Sequence, residues 1–87
     1  MRIDTTTHYD KQSRKITPKL RAKVLERLEL FIATPYHPLL NNHKLHGERH
    51  HQRSINITGS YRLIFEQVDT ETVRLIDIDT HPNLYRE

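Results

Sequence analysis

The chain predicts an α+β domain. Its expected architecture is a small, mostly antiparallel β-sheet carrying one long helix from the N-terminal half and a shorter helix on one face. Three observations lead there. An apolar repeat of helical period runs through the first half, and three β-compatible runs separated by turn residues fill the second. The total of 87 residues leaves room for one domain only, placed at 1–87.

The elements follow in order. Ile3 and the Thr5-Thr6-Thr7 run suit a short first strand, and "YDKQSRK" begins a brief helix. Thr17-Pro18 is an N-cap followed by proline at the first helical position, where a missing N–H costs nothing. "PKLRAKVLERLELFIA" then puts Leu20, Val24, Leu28 and Phe31 on one stripe, widened by Leu25 and Ile32, with Lys19, Arg21, Lys23, Glu26 and Glu29 outside. Pro35 disfavours helical angles at Thr34 and ends the helix. "PYHPLLNNHKLHGERHH", rich in proline and asparagine, reads as a loop. In "QRSINI", Ile55 and Ile57 face one way and Ser54 and Asn56 the other. "YRLIFEQV" and "TVRLIDI" are apolar on both faces, as central strands are. Gly59 and Asp69-Thr70-Glu71 supply the hairpin turns.

Composition narrows the partners. Hydrophobic content of 34% is low and charged content of 29% is high, yet the apolar residues cluster periodically, so the chain folds. A net charge of +3, which seven histidines raise in acid, favours nucleic acid, an acidic protein or an anionic surface. With no cysteine, disulfides and thiolate chemistry are excluded, which fits a reducing compartment. "MRIDTTTHYDKQSRK" has no apolar signal region and no run reaches membrane-spanning length. The expectation is a cytoplasmic protein with no membrane partner.

Three groups of residues can carry chemistry. His43, His46, His50 and His51 crowd one short segment, but Glu48 is the only carboxylate nearby and a loop gives the rings no fixed face. No metal site is expected there. Arg49, His50, His51, Arg53 and Arg62 come from that loop and two strands, and their convergence would grip phosphates, since the guanidinium fork matches the oxygens. Tyr61 and Tyr85 add rings on which bases can stack. Finally, His81 follows the last strand and is able to give or take a proton near neutral pH.

Together, "LNNHKLHG", "RSINITGSYRLIFE" and "IDIDTHPNLYRE" resemble the RelE/ParE superfamily of bacterial toxins, nearest its YafQ-like RelE/StbE branch. The resemblance covers residues 41 to 86 and rests on His43, Leu45 and Gly47, then Arg53, Gly59, Tyr61 and Arg62, then Thr80, His81, Leu84 and Tyr85. It implies a RelE-like fold and a toxin domain that cleaves mRNA, on the ribosome, and is neutralised by a cognate acidic antitoxin. By position, His81 would be the general acid for the leaving 5′ oxygen, and His43 a base or hydrogen-bonding partner for the 2′-hydroxyl. Arg62 would stabilise the phosphorane and Tyr85 would position the nucleotide. Asn56 stands where relatives often carry a further histidine and joins Arg49, His50, His51, Arg53 and Tyr61 as an RNA-contacting residue. The 2′-hydroxyl is an internal nucleophile, so neither a metal nor a small-molecule cofactor is called for.

The chain departs from the family pattern at Asn56, Ser60, Asp77 and Asp79. The two aspartates, so near His81, would raise its pKa and repel phosphate. Two alternatives therefore stand beside the nuclease: an inactive relative that binds RNA or an antitoxin, and a ParE-like gyrase inhibitor.

Overall fold

The computed structural model describes residues 1–84, with His81 described by its backbone alone. Thr6 and Thr17 start the two N-terminal helices in the same way. Each has extended backbone angles and a hydroxyl that accepts the N–H three residues on: Tyr9 N to Thr6 Oγ1 at 3.1 Å, Leu20 N to Thr17 Oγ1 at 3.1 Å. They open α1 (Thr7–Ser13) and α2 (Pro18–Ala33). Thr34 leaves helical geometry, as expected before Pro35.

Strands β1 (Arg2–Thr5), β2 (His43–Lys44), β3 (Arg53–Asn56), β4 (Tyr61–Gln67) and β5 (Thr72–Thr80) form one sheet in the order β1-β5-β4-β3-β2. All pairings are antiparallel except β1 with β5. The Thr6 hydroxyl also donates to Leu75 O at 3.1 Å, so the cap of α1 ties that helix to the sheet. Thr58 Oγ1 accepts from Ser60 N and Tyr61 N to close the β3–β4 turn, and Asp69 Oδ1 accepts from Glu71 N to close the next. The Glu71 N–H, with Thr72 adding to it, holds the Asp69 carboxyl below its usual range.

The main core lies between the sheet and the two helices. Tyr9, Val24 and Phe31 meet Ile55, Ile57, Leu63, Phe65, Val73, Leu75 and Ile78, with Phe31 edge-on to Phe65 at 4.9 Å. A smaller cluster of Leu45, Ile64 and Leu84 occupies the opposite sheet face. Leu84 belongs to α3 (His81–Leu84), which starts directly where β5 ends.

Three sequence expectations need correction. Leu25 and Ile32 do not widen the buried stripe: they are 60% and 47% exposed. Leu30, on the opposite flank of the helix, packs on the core instead, and one sheet face covers only one flank. The segment after α2 is not wholly loop. It holds a 3-10 turn at Pro38–Leu40, the edge strand β2 and a second 3-10 turn at Gly47–Arg49. A two-residue strand is too short to show a period and exists only through pairing with β3. The terminal helix α3 was not foreseen either.

Candidate active site on the second sheet face

Register decides which side chains can meet, because neighbours along a strand point to opposite faces. On β3 and β4 the pairs are Arg53–Phe65, Ser54–Ile64, Ile55–Leu63 and Asn56–Arg62. Phe65, Leu63 and Ile55 belong to the helix-covered core, so Arg53 and Tyr61 share that face. Ser54, Asn56, Arg62 and Ile64 lie on the second face. His43 joins them by pairing with Ser54, and Asp79 by pairing with Arg62.

Each of these residues is held. His43 is half-buried, with Nδ1 at 2.8 Å from Asn41 O. The Arg62 Nη1 donates to Thr58 O at 3.0 Å, Gly59 O at 3.2 Å and Tyr61 O at 3.3 Å. Among the described residues its fork is engaged only there, so Nε and Nη2 remain for an anion. Among the described residues, Asn56 Oδ1 and Ser54 Oγ are buried without a hydrogen-bond partner, an uncommon state for polar atoms. Asp79 accepts from Thr80 N at 2.7 Å and Asn83 Nδ2 at 3.2 Å, while Asp77 meets His8 Nε2 at 3.1 Å. Both carboxylates are thus partnered by groups other than Arg62.

His81 leaves the sheet one residue after Thr80, which pairs with Tyr61. Burial of Leu84 with Ile64 and Leu45 brings α3 onto the second face. The His81 ring, its expected pKa rise and all of Tyr85 fall outside the described parts of the structure.

The expected convergence of basic residues does not form. Arg53 is on the helix-covered face, where its Nε donates to Asn42 Oδ1 at 2.8 Å and its guanidinium lies over the Tyr36 ring at 5.7 Å. Tyr61 packs against the main core rather than presenting a free stacking surface beside Arg62. His51 approaches Glu66 at 3.8 Å, and Glu66 also binds Arg74. Glu66 is four residues from Arg62, roughly 13 Å along a strand. His50 contacts Gly47 O and Arg49 contacts Gln52, both within the same connection. A local run of basic residues carries no information on strand parity, and parity separates them.

Two features went unnoticed in the sequence. Asn41 adopts a left-handed conformation immediately before β2. A groove of about 680 Å³ runs between α2 and the β3–β4 turn, lined by Ile16, Leu20 and Tyr61 with Lys15, Lys19 and Lys23. The four-residue spacing of those lysines was the available signal.

No protein-family model matches the chain, and no curated protein does. Solved structures do. YafQ from E. coli strain BL21(DE3) superposes with a TM-score of 0.81 at 18% identity, over 98% of this chain and 99% of that one. The YoeB/ParE toxin from Agrobacterium tumefaciens gives 0.78 at 16% identity, over 93% and 99%. The RelBE2 toxin–antitoxin complex from Mycobacterium tuberculosis gives 0.74 at 24% identity, over 92% and 96%. The likeness is one of architecture: this chain has the RelE/ParE-like toxin fold.

Proposed function

We propose that this protein is the toxin of a type II toxin–antitoxin pair and a metal-independent endoribonuclease that cleaves mRNA on the ribosome. One observation carries the reading. His43, Asn56 and Arg62 come from three strands onto one sheet face, and β5 delivers His81 to the end of that face.

The chemistry suits those groups. A neutral His43 takes the proton of the RNA 2′-hydroxyl, and the 2′ oxygen attacks the adjacent phosphorus. Arg62 offsets the extra negative charge of the phosphorane. His81, protonated, gives its proton to the departing 5′ oxygen, leaving a 2′,3′-cyclic phosphate and a 5′-hydroxyl. Tyr85 positions the nucleotide. Arg49, His50 and His51 contact RNA further along the chain's exposed β2–β3 connection, whereas Arg53 and Tyr61, on the helix-covered face, stay clear of it.

The partner is a cognate acidic antitoxin. The lysine-edged apolar groove beside α2 accepts an acidic segment with apolar side chains, since Glu26 is the one carboxylate lining it among the described residues and is already bound by Lys23 at 3.2 Å. RNA is not expected there, because the apolar floor offers bases few hydrogen-bonding groups.

A second reading, a folded relative that binds without cutting, is favoured by Asp79 opposite Arg62, where a carboxylate repels phosphate. Expression of the parent and of His81→Ala separates the two. Growth arrest with cut mRNA is expected for the parent, and a loss of roughly two to four orders of magnitude in cleavage rate for a folded His81→Ala. Equal cleavage by both, with matching circular dichroism, sinks the catalytic role. DNA damage with intact mRNA would point to gyrase.

A further inference from the structure

Asn41 is the only non-glycine residue with positive φ among the described residues, at φ 44° and ψ 50°. Asparagine visits the left-handed region more readily than other side chains with a Cβ. The conformation closes the 3-10 turn at Pro38–Leu40 and starts β2 two residues later. The turn is pinned on both sides. Asn42 Nδ2 donates to Pro35 O at 3.0 Å and Asn42 Oδ1 accepts from Arg53 Nε at 2.8 Å, joining it to the end of α2 and to β3.

The Asn41 carbonyl so placed is 2.8 Å from His43 Nδ1. A carbonyl oxygen only accepts, so Nδ1 must carry the hydrogen. In a neutral imidazole the lone pair is then on Nε2. The orienting group is backbone, so its position depends on the φ and ψ of residue 41 rather than on a rotamer.

We infer that Asn41 is a positioning residue: its left-handed backbone holds the His43 ring as the Nδ1–H tautomer and leaves Nε2 as the proton acceptor. This rests on the proposed role of His43 in cleavage, but the tautomer can be read without any RNA. Glycine takes the same conformation freely, whereas a β-branched residue resists it. Asn41→Gly should therefore keep the tautomer, and Asn41→Val should lose it.

The test is ¹⁵N NMR of the His43 ring in the intact parent, Asn41→Gly and Asn41→Val, above the pH at which the ring is charged, with cleavage rates alongside. The expected result is Nδ1–H in the parent and the glycine variant, and a shift towards Nε2–H in the valine variant. The valine variant should also lose about 10²-fold in turnover, the scale of a misplaced catalytic group, with glycine restoring it. An Nε2–H tautomer in the parent overturns the inference even if Asn41→Val fails to fold, and so does an unchanged tautomer in a folded Asn41→Val. If the tautomers behave as stated but the parent leaves RNA intact, positioning by Asn41 stands and the nuclease reading fails.

Discussion

Leu84, in the last helix, is buried against Ile64 in the middle of β4, with Leu45 completing the contact. This small cluster is separate from the main core and turns the chain back across the second sheet face after β5. It therefore fixes where His81, three residues earlier, leaves the sheet.

Leu84→Ala should loosen that arrangement. Truncating a buried leucine costs about 2–5 kcal/mol in a core, but a four-residue helix can undock by itself, which caps the loss in global stability. A small fall in the urea midpoint with at least about a tenfold fall in cleavage is expected. Leu84→Met should keep both. A large stability loss with unaltered cleavage would show that the cluster serves the fold and not the site.

The two strand arginines should behave differently. Arg62→Ala is expected to lower the salt slope of RNA binding by about one and to slow cleavage at saturating substrate. Arg62→Lys should recover binding better than rate, because a point charge lacks the fork. Arg53→Ala loses the Asn42 bond and the Tyr36 contact, about 1–2 kcal/mol of stability, while turnover stays near the parent value. Equal catalytic losses in both variants would mean that one RNA reaches both sheet faces.

Ser54 offers a stabilising substitution. Its hydroxyl is fully buried, with no hydrogen-bond partner among the described residues, between His43 on β2 and Ile64 on β4. Ser54→Ala removes an unsatisfied group and should raise stability by about 1 kcal/mol by denaturant titration. A lower midpoint would reveal a hydrogen bond made by that hydroxyl.

Tyr9 should make the fold alkali-sensitive. Burial, with Asp10 adding to it, pushes its hydroxyl from 10.0 to about 12. Below pH 10 the ring is neutral in both states and its contribution is complete. Between about pH 10 and 12 the unfolded chain ionises first, so stability falls as pH rises, by about 3 kcal/mol in all. Urea unfolding at pH 9 and 11 should show the drop, and Tyr9→Phe should diminish it. Equal pH dependence in both chains would assign the loss to other groups.

Thr17-Pro18, the α2 period and the two hairpin turns were legible because each depends on residues a few positions apart. The cap needs only its own hydroxyl and the N–H three residues on, and the Thr58-Gly59-Ser60 turn closes on itself. The resemblance likewise placed His43, Arg62 and His81 in one short list, as chain order allows.

Faces and long-range pairing were decided only in three dimensions. Thr6 and Leu75, 69 positions apart, are brought together at the start of α1, and no local pattern announces the parallel pairing of β1 with β5. His43 acquired a defined face only when two residues of a proline-rich segment paired with β3. Arg53 and Arg62 were parted by which residue of β3 stands opposite which residue of β4. A side chain's face alternates with every residue, so a one-residue difference in pairing reverses it; composition and spacing along one strand are the same in either case, and only the partner strand selects between them.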